Sequence, residues 1–219
     1  MSPRKMTVGI CSREGKESYM WLKNLVEGQE FQSVVQKVVP IQITNSPVIF
    51  TNSVRQCSFA ILYHSKNRGR VNITDVTDSL YDEELKHLSS ELGKERVFVV
   101  VDDMEDISEE KKEDILANQP SIKDHSQGIF LISKQEKEMW VAGNSESMRI
   151  KTIKMKEIMA NRSKSDKNKT GNNKPKQSDP QGQDVINTQI KEEEPRRQNI
   201  NQQQNTSQNS WCCCCISME

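Results

Sequence analysis

Polar residues with reactive or charged side chains stand where three apolar runs of the sequence end. In α/β folds, ligands bind at the carboxyl ends of the strands, and such apolar runs are typical of buried strands. We therefore take these residues as the candidate site for a ligand or partner. In chain order they are Ser12, Arg13, His64, Lys66, Arg68, Arg70, Asp102 and Asp103.

Nucleophilic catalysis has little support among these residues. A Cys–His or Ser–His pair would need Cys11 or Ser12 beside His64, and neither Cys11 nor Ser12 lies in a known nucleophile motif. A small buried hydrophobe is the simpler interpretation of Cys11. We therefore predict no catalytic residue.

Phosphate-loop and metal-site patterns also fail. Five residues separate Gly9 from Gly15 where a phosphate-binding loop has four, and Glu17 follows Lys16 where that loop has a hydroxyl. The Asp102–Asp103 pair offers oxygen ligands for a divalent ion, but we favour a strand that ends in a solvated acidic loop, because no second acidic pair can be placed beside it from the sequence. The sequence has no zinc-ligand spacing. We predict no cofactor and no metal.

The segment Lys66–Arg70 is a compact basic loop after a buried apolar run. Guanidinium groups at such a position suit a phosphate, a lipid head group or an acidic partner. The alternative is a solvated loop that Asn67 and Gly69 allow to turn. Net charge is zero over the whole chain, so we predict no nucleic-acid partner.

Four consecutive cysteines near the C-terminus are the most specific feature of the sequence. A disulfide framework or a zinc site uses spaced cysteines, whereas S-acylation needs only accessible thiols near a membrane. Two acyl chains anchor a protein stably where one gives marginal binding. We therefore predict lipidation at four positions, Cys212, Cys213, Cys214 and Cys215. The expected location is the cytoplasmic face of a membrane, with acyl chains making the membrane contact.

Apolar runs alternate with helix-like segments through the first part of the chain. This alternation predicts an α/β fold with a doubly wound, mainly parallel, five-stranded sheet of the flavodoxin-like kind. The predicted strands are Met6–Cys11, Val34–Ile43, Cys57–Tyr63, Val97–Val101 and Gly128–Ser133. Pro40 indicates that the second of them either ends there or lies at an edge of the sheet.

The helices are predicted from spacing and capping residues. Helices should end at Gly28, run from Asp78 or Ser79 to Leu92, and begin at Ser108, with a last one starting at Ser145. Pro47–Thr51 is predicted as a short strand extension.

Three regions follow from composition. We predict that residues 5–160 form the α/β domain, 161–210 a disordered polar linker, and 211–219 a Trp- and Cys-rich membrane-anchoring terminus. Within residues 161–176, six basic residues stand against one acidic residue, which favours anionic lipid.

Three blocks of this chain resemble a vertebrate protein family, found mostly in fish and amphibians, that carries no assigned activity. The blocks are Tyr63–Leu85 (YHSKNRGRVNITDVTDSLYDEEL), Val97–Asp103 and Gln119–Ile122. The resemblance covers Met6–Ser133 and implies no catalytic residue. The element order also resembles TIR-type signalling domains as a fold-level analogy, although the glutamate with which some of these cleave NAD has no counterpart that we can place.

Two functional hypotheses follow. The preferred one is a membrane-tethered interaction or adaptor protein, with a signalling role and an unidentified protein partner. The alternative is a small enzyme or nucleotide-binding protein that uses the carboxyl ends of the strands.

Overall fold

Five parallel strands form the central sheet. The computed structural model describes the backbone of residues 5–169 and the side chains of residues 5–161. The strands are Met6–Ser12 (β1), Val35–Gln42 (β2), Phe59–Ser65 (β3), Val97–Met104 (β4) and Ile129–Ser133 (β5). They stand in the order β2-β1-β3-β4-β5, and all neighbouring pairs are parallel. The predicted doubly wound α/β fold is confirmed.

Seven α-helices occur between residues 5 and 169. They are Met20–Glu27 (α1), Pro47–Val54 (α2), Asp82–Leu92 (α3), Glu109–Asn118 (α4), Ser121–His125 (α5), Lys134–Val141 (α6) and Glu146–Lys169 (α7). Short 3-10 turns lie at Lys16–Tyr19, Lys66–Arg68 and Lys94–Arg96. In the described part of the chain, no helix combines the length and the apolar composition needed to cross a bilayer.

Helices cover both faces of the sheet, so the inner strands have two buried sides. Along β4, Phe98 and Val100 belong to the core formed with α1 and α7, whereas Val97, Val99 and Val101 belong to the core formed with α2 to α5. Side chains alternate between faces along a strand, so a strand covered on both faces is apolar at every position. This explains the continuous apolar runs.

Several local predictions are confirmed. Pro40 lies in the edge strand β2, where a missing N–H costs no inner ladder bond. The Ser108 hydroxyl caps α4 by accepting a hydrogen bond from Lys111 N at 3.2 Å. Gly93 follows α3 with φ of +93°, a conformation that favours glycine.

Two predictions about helices are corrected. Pro47–Thr51 is not a strand extension but the start of α2, because a proline in the first helical turn needs no hydrogen-bond donor. The helix that ends at Leu92 begins at Asp82 rather than at Asp78 or Ser79. Asp78 has φ of +60°, outside the extended region that an N-cap residue adopts.

The last helix, α7, runs past the predicted end of the domain. Its backbone is helical to Lys169, so the start of the predicted linker at residue 161 is helical. No proline or glycine occurs between residues 161 and 169, so nothing in this segment breaks the helix. The rest of the predicted linker and the Trp- and Cys-rich terminus lie outside the described residues.

A buried glutamine holds the long β3–α3 connection. The Gln119 side chain accepts hydrogen bonds from the backbone N–H groups of Ile73 at 2.8 Å and Thr74 at 3.0 Å. Its amide nitrogen donates to the Val71 carbonyl at 2.8 Å. One side chain therefore satisfies three backbone groups of a segment that belongs to no helix or strand.

Replacing Gln119 with Leu should lower the free energy of unfolding by about 3 kcal/mol, because Leu keeps the volume but leaves buried backbone groups unpaired. Urea denaturation measures this change. The matched control is Asn118→Leu at the neighbouring exposed position, which should change stability by less than about 0.5 kcal/mol. Equal effects of the two variants would contradict this role of Gln119.

Candidate functional site

The predicted site residues lie along one edge of the sheet. Strand order reverses between β1 and β3, which carry the β1–α1 and β3–α3 loops at their carboxyl ends. Crevices at such a reversal are where open α/β sheets bind ligands. The residues at this edge are Ser12, Arg13, His64, Lys66, Arg68, Arg70, Asp102 and Asp103. The predicted lipidation residues Cys212–Cys215 lie outside the described part of the chain.

Asp102 is the centre of a buried polar cluster. Its side chain has no exposed surface. The carboxylate lies within hydrogen-bond distance of four donors: Trp21 Nε1 at 2.6 Å, the Tyr63 hydroxyl at 2.8 Å, Asp103 N at 2.6 Å and Lys137 Nζ at 2.7 Å. A buried carboxylate needs such partners, since burial without them is costly. The cluster joins α1, β3, β4 and α6.

Asp103 continues this cluster towards solvent. It has φ of +59°, and it lies within the register shift of the β4–β5 pairing, between Val101 and Met104. Its carboxylate accepts from the Ser65 hydroxyl at 2.5 Å and from Lys137 Nζ at 2.8 Å. The register shift and the left-handed backbone conformation thus occur where two consecutive aspartates bind the same lysine.

The lysine and the aspartates stabilise each other's charge. Burial lowers the pKa of Lys137, but hydrogen bonds and attraction from Asp102 and Asp103 outweigh burial and raise the pKa above its usual value. For Asp103, burial raises the pKa, and the bonds from Lys137 and Ser65 outweigh burial and lower it. The ammonium group occupies the space between the carboxylates that a divalent ion would need. Among the described residues, no group of three or more acidic, His or Cys side chains forms a metal site.

A second cluster joins Ser12, Glu14 and His64. The Ser12 hydroxyl donates to the Glu14 carboxylate, and Glu14 N donates back to the Ser12 oxygen at 3.0 Å. The buried His64 ring donates from Nε2 to the Arg70 carbonyl at 2.9 Å. Its Nδ1 lies 3.7 Å from Glu14 Oε1 and has no hydrogen-bond partner among the described residues.

The charge state of His64 follows from this burial. Desolvation lowers the pKa of His64, and Arg68 lowers it further, while the Arg70 carbonyl and Glu14 act in the opposite direction. Neutral His64 keeps its proton on Nε2, because the Arg70 carbonyl can only accept. The Nδ1 lone pair therefore faces Glu14 Oε1.

Neither Cys11 nor Ser12, the two nucleophiles considered from the sequence, is activated. Cys11 is fully buried in the core, as predicted, and burial raises the pKa of its thiol far above the usual range. The Ser12 hydroxyl is engaged by Glu14, and the polar contacts of the His64 ring are with Arg70 and Glu14. The structure thus brings Ser12 and His64 to one edge without forming a Ser–His or Cys–His couple in the described residues.

Hydrogen bonds hold the backbone of the basic loop, and its two arginine side chains are exposed. The Ser65 hydroxyl accepts from Asn67 N at 3.1 Å. Gly69 N donates to the Lys66 carbonyl at 2.8 Å. Lys66 pairs with Glu105 at 2.8 Å. The side chains of Arg68 and Arg70 are exposed and make no ion pair within residues 5–161. The loop is therefore preorganised, with two unneutralised guanidinium groups.

Arg13 has a different role from the basic loop. Its guanidinium pairs with Glu84 at 2.6 Å and donates to the Leu80 carbonyl at 2.9 Å. Its own carbonyl accepts from Gln42 at 3.1 Å and from Arg68 at 3.4 Å. Arg13 therefore connects the loop after β1 to the end of β2 and to the loop after β3.

Sequence reasoning missed three residues of the site. Glu14 lies two positions after Ser12, a local signal that was available. Trp21 and Lys137 lie on helices, and only the fold brings them to Asp102. Lys137 was out of reach of prediction because α6 itself was not predicted.

No protein-family model matches this sequence. A search of curated proteins likewise finds no significant match.

The burial of neutral His64 predicts a pH effect on stability. Unfolded His64 binds a proton near its ordinary pKa of 6.5, whereas the folded ring has a lower pKa. The unfolded state then binds more protons, so the free energy of unfolding should be highest above pH 6.5 and fall below it, levelling off once the pH is under the folded pKa.

Urea unfolding of the wild type and of His64→Gln between about pH 7.5 and pH 5 tests this effect. The variant should have the flatter curve, because it lacks the titrating group. A fall of equal slope in both proteins would show that His64 does not contribute.

Proposed function

We propose that this protein is a membrane-tethered interaction protein. Acyl chains on Cys212–Cys215 hold it at the cytoplasmic face of a membrane, and the α/β domain presents its basic loop to an acidic segment of a protein partner. The role is that of an adaptor, with no catalytic step assigned to the domain.

The observation that carries the interaction role is the basic loop. Arg68 and Arg70 are exposed without carboxylate partners, while the backbone beneath them is fixed by Ser65 and His64. Preorganised loops lose little conformational entropy on binding. Arginine forms paired hydrogen bonds with carboxylate and phosphate groups, so an acidic or phosphorylated peptide segment is the complementary partner.

The residues at the carboxyl edge support binding rather than catalysis. Asp102 and Asp103 share the ammonium group of Lys137, Cys11 is buried, and Ser12 is bonded to Glu14. A general acid, base or nucleophile must reach a substrate in the right protonation state. These side chains instead hold the loops in place.

The tether is proposed from the cysteine run in the sequence. Each buried methylene of an acyl chain contributes about 0.8 kcal/mol, so one chain binds weakly and a second makes the anchor durable. Trp211 and Ile216 flank the cysteines and suit the membrane interface. Basic residues in 161–176 would add attraction to anionic lipids.

Replacing Cys212, Cys213, Cys214 and Cys215 together with Ser should release the protein from membranes, because no thiol for acylation is left in the terminus. Cell fractionation with hydroxylamine-sensitive thioester labelling measures both effects. The control is the single change Cys212→Ser, which should keep the protein on membranes. Equal membrane content of the fourfold variant and wild type, or no thioester signal in wild type, would refute the tether.

Replacing Arg68 and Arg70 with Ala should abolish partner capture while leaving the protein on membranes. Stability should change by less than about 0.5 kcal/mol, because both side chains are exposed. Cross-linking of intact membranes followed by quantitative mass spectrometry measures the partners retained.

The matched control is Arg55→Ala with Arg149→Ala, which removes two exposed arginines that pair with Glu91 and Glu146 away from the loop. It should retain the partners of the wild type. Loss of the same partners in both variants would show that total charge, not this loop, is recognised. Unfolding of the loop variant would assign Arg68 and Arg70 a structural role.

A further inference from the structure

A largely apolar cavity of about 610 Å³ lies between α1 and α6. Two indole rings, those of Trp21 and Trp140, contribute to its wall together with the side chains of Leu25 and Val141. Val141 is 87 % exposed, so part of this apolar surface is open to solvent. Small-molecule sites are clefts of about 300–1,000 Å³ with mostly apolar walls and a few oriented polar groups. The size and lining of this cavity therefore suit a small ligand.

The two indole rings are held in place by the fold. Trp21 Nε1 donates to the buried Asp102 carboxylate at 2.6 Å, which fixes the orientation of the Trp21 ring. Trp140 is partly buried against the core that α1 and α7 share, and its carbonyl accepts from Gly143 N at 2.9 Å where α6 ends. Rings that are fixed before binding lose little conformational entropy when a ligand arrives.

The charges around the cavity are negative in balance. Lys137 lines the wall, but its ammonium group lies 2.7 Å from Asp102 and 2.8 Å from Asp103, so these three groups together carry one negative charge. Glu30, which also lines the cavity, is exposed and makes no ion pair within residues 5–161. It adds a second negative charge. The cavity therefore repels an anion and attracts a cation.

An indole ring attracts cations through the negative charge of its face. The cavity contains one such contact, because Lys137 Nζ lies 5.6 Å from the centroid of the Trp21 ring. Among the described residues, no lysine or arginine lies over the ring of Trp140. Proteins recognise quaternary ammonium groups with aromatic rings, whereas a primary ammonium group is strongly hydrated. Trp140 and Glu30 in one wall therefore indicate a quaternary ammonium ligand.

We propose that the cavity between α1 and α6 binds a small quaternary ammonium compound of the choline type. Its methylated ammonium group lies against the ring of Trp140, within attraction of the Glu30 carboxylate. The side-chain amides of Asn24 and Gln29, which line the same cavity, bind a hydroxyl group of the ligand. This is a second binding activity of the domain, and it does not depend on the acyl tether or on the protein partner.

Isothermal titration calorimetry of the full-length protein with choline and with neohexyl alcohol tests the site. The two compounds have the same shape, but the alcohol has carbon in place of the charged nitrogen. Choline should bind with a dissociation constant below about 1 mM. The alcohol should bind at least about tenfold more weakly, because it lacks the charge that the ring and the carboxylate attract. Equal binding of the two compounds, or choline binding weaker than about 1 mM, would overturn the proposal.

Two variants locate the cation. Glu30→Gln should weaken choline binding about fivefold while leaving the binding of neohexyl alcohol unchanged, because only a charge is removed. Trp140→Ala should weaken choline binding about tenfold, because the open ring face is lost. Glu30 is exposed, so its variant remains informative even if Trp140→Ala fails to fold.

The matched control is Glu138→Gln, which removes the same charge from an exposed residue of α6 outside the cavity wall. This variant should bind choline as the wild type does. An effect of Glu138→Gln as large as that of Glu30→Gln would show attraction to the total negative charge and overturn the assignment. Unchanged choline binding by Glu30→Gln would overturn it as well.

Discussion

The buried carboxylate of Asp102 is the constraint on which the carboxyl edge of the sheet depends. It lies near the carboxyl end of β4 with no exposed surface, and its partners include side chains from α1, β3 and α6. Removing one partner of a buried ion pair typically costs about 3–5 kcal/mol, because the remaining charge stays buried. The helices that carry Trp21 and Lys137 must therefore lie where an indole N–H and an ammonium group reach Asp102.

This constraint also decides which charges are available to other molecules. Lys137 is shared by two aspartates, and Arg13 is bound to Glu84, so neither presents a free cation. Among the described residues at this edge, only the loop after β3 has guanidinium groups without a carboxylate partner, at Arg68 and Arg70. Their backbone is held by His64 and Ser65, which are buried. A fixed backbone beneath free charge is the feature on which the proposed binding role of this loop rests.

The strands could be predicted because a strand buried on both faces is apolar at consecutive positions. Such a run, for example Val97–Val101, is visible in the sequence itself. Ser108 and Gly93 were predictable for a similar reason, since capping chemistry is local. The prediction of a strand at Pro47–Thr51 was wrong. Its β-branched residues favour strands, but the tertiary fold overrides that preference in α2. The polar contacts were beyond reach because Asp103 and Lys137 lie 34 residues apart in sequence. The site was located by strand ends, but its hydrogen bonds depend on three-dimensional packing.

The proposed tether lowers the affinity that the basic loop needs for its partner. Exposed ion pairs contribute about 0–1 kcal/mol each and are screened by salt, so two arginines alone give weak affinity in solution. Anchoring protein and partner to one membrane raises their effective concentration, to the millimolar range for short flexible connections. Under that condition a weak, salt-sensitive contact suffices to populate the complex. A small preorganised loop on an anchored domain is therefore physically consistent with an adaptor, and losing the anchor would weaken the contact without altering any residue that makes it.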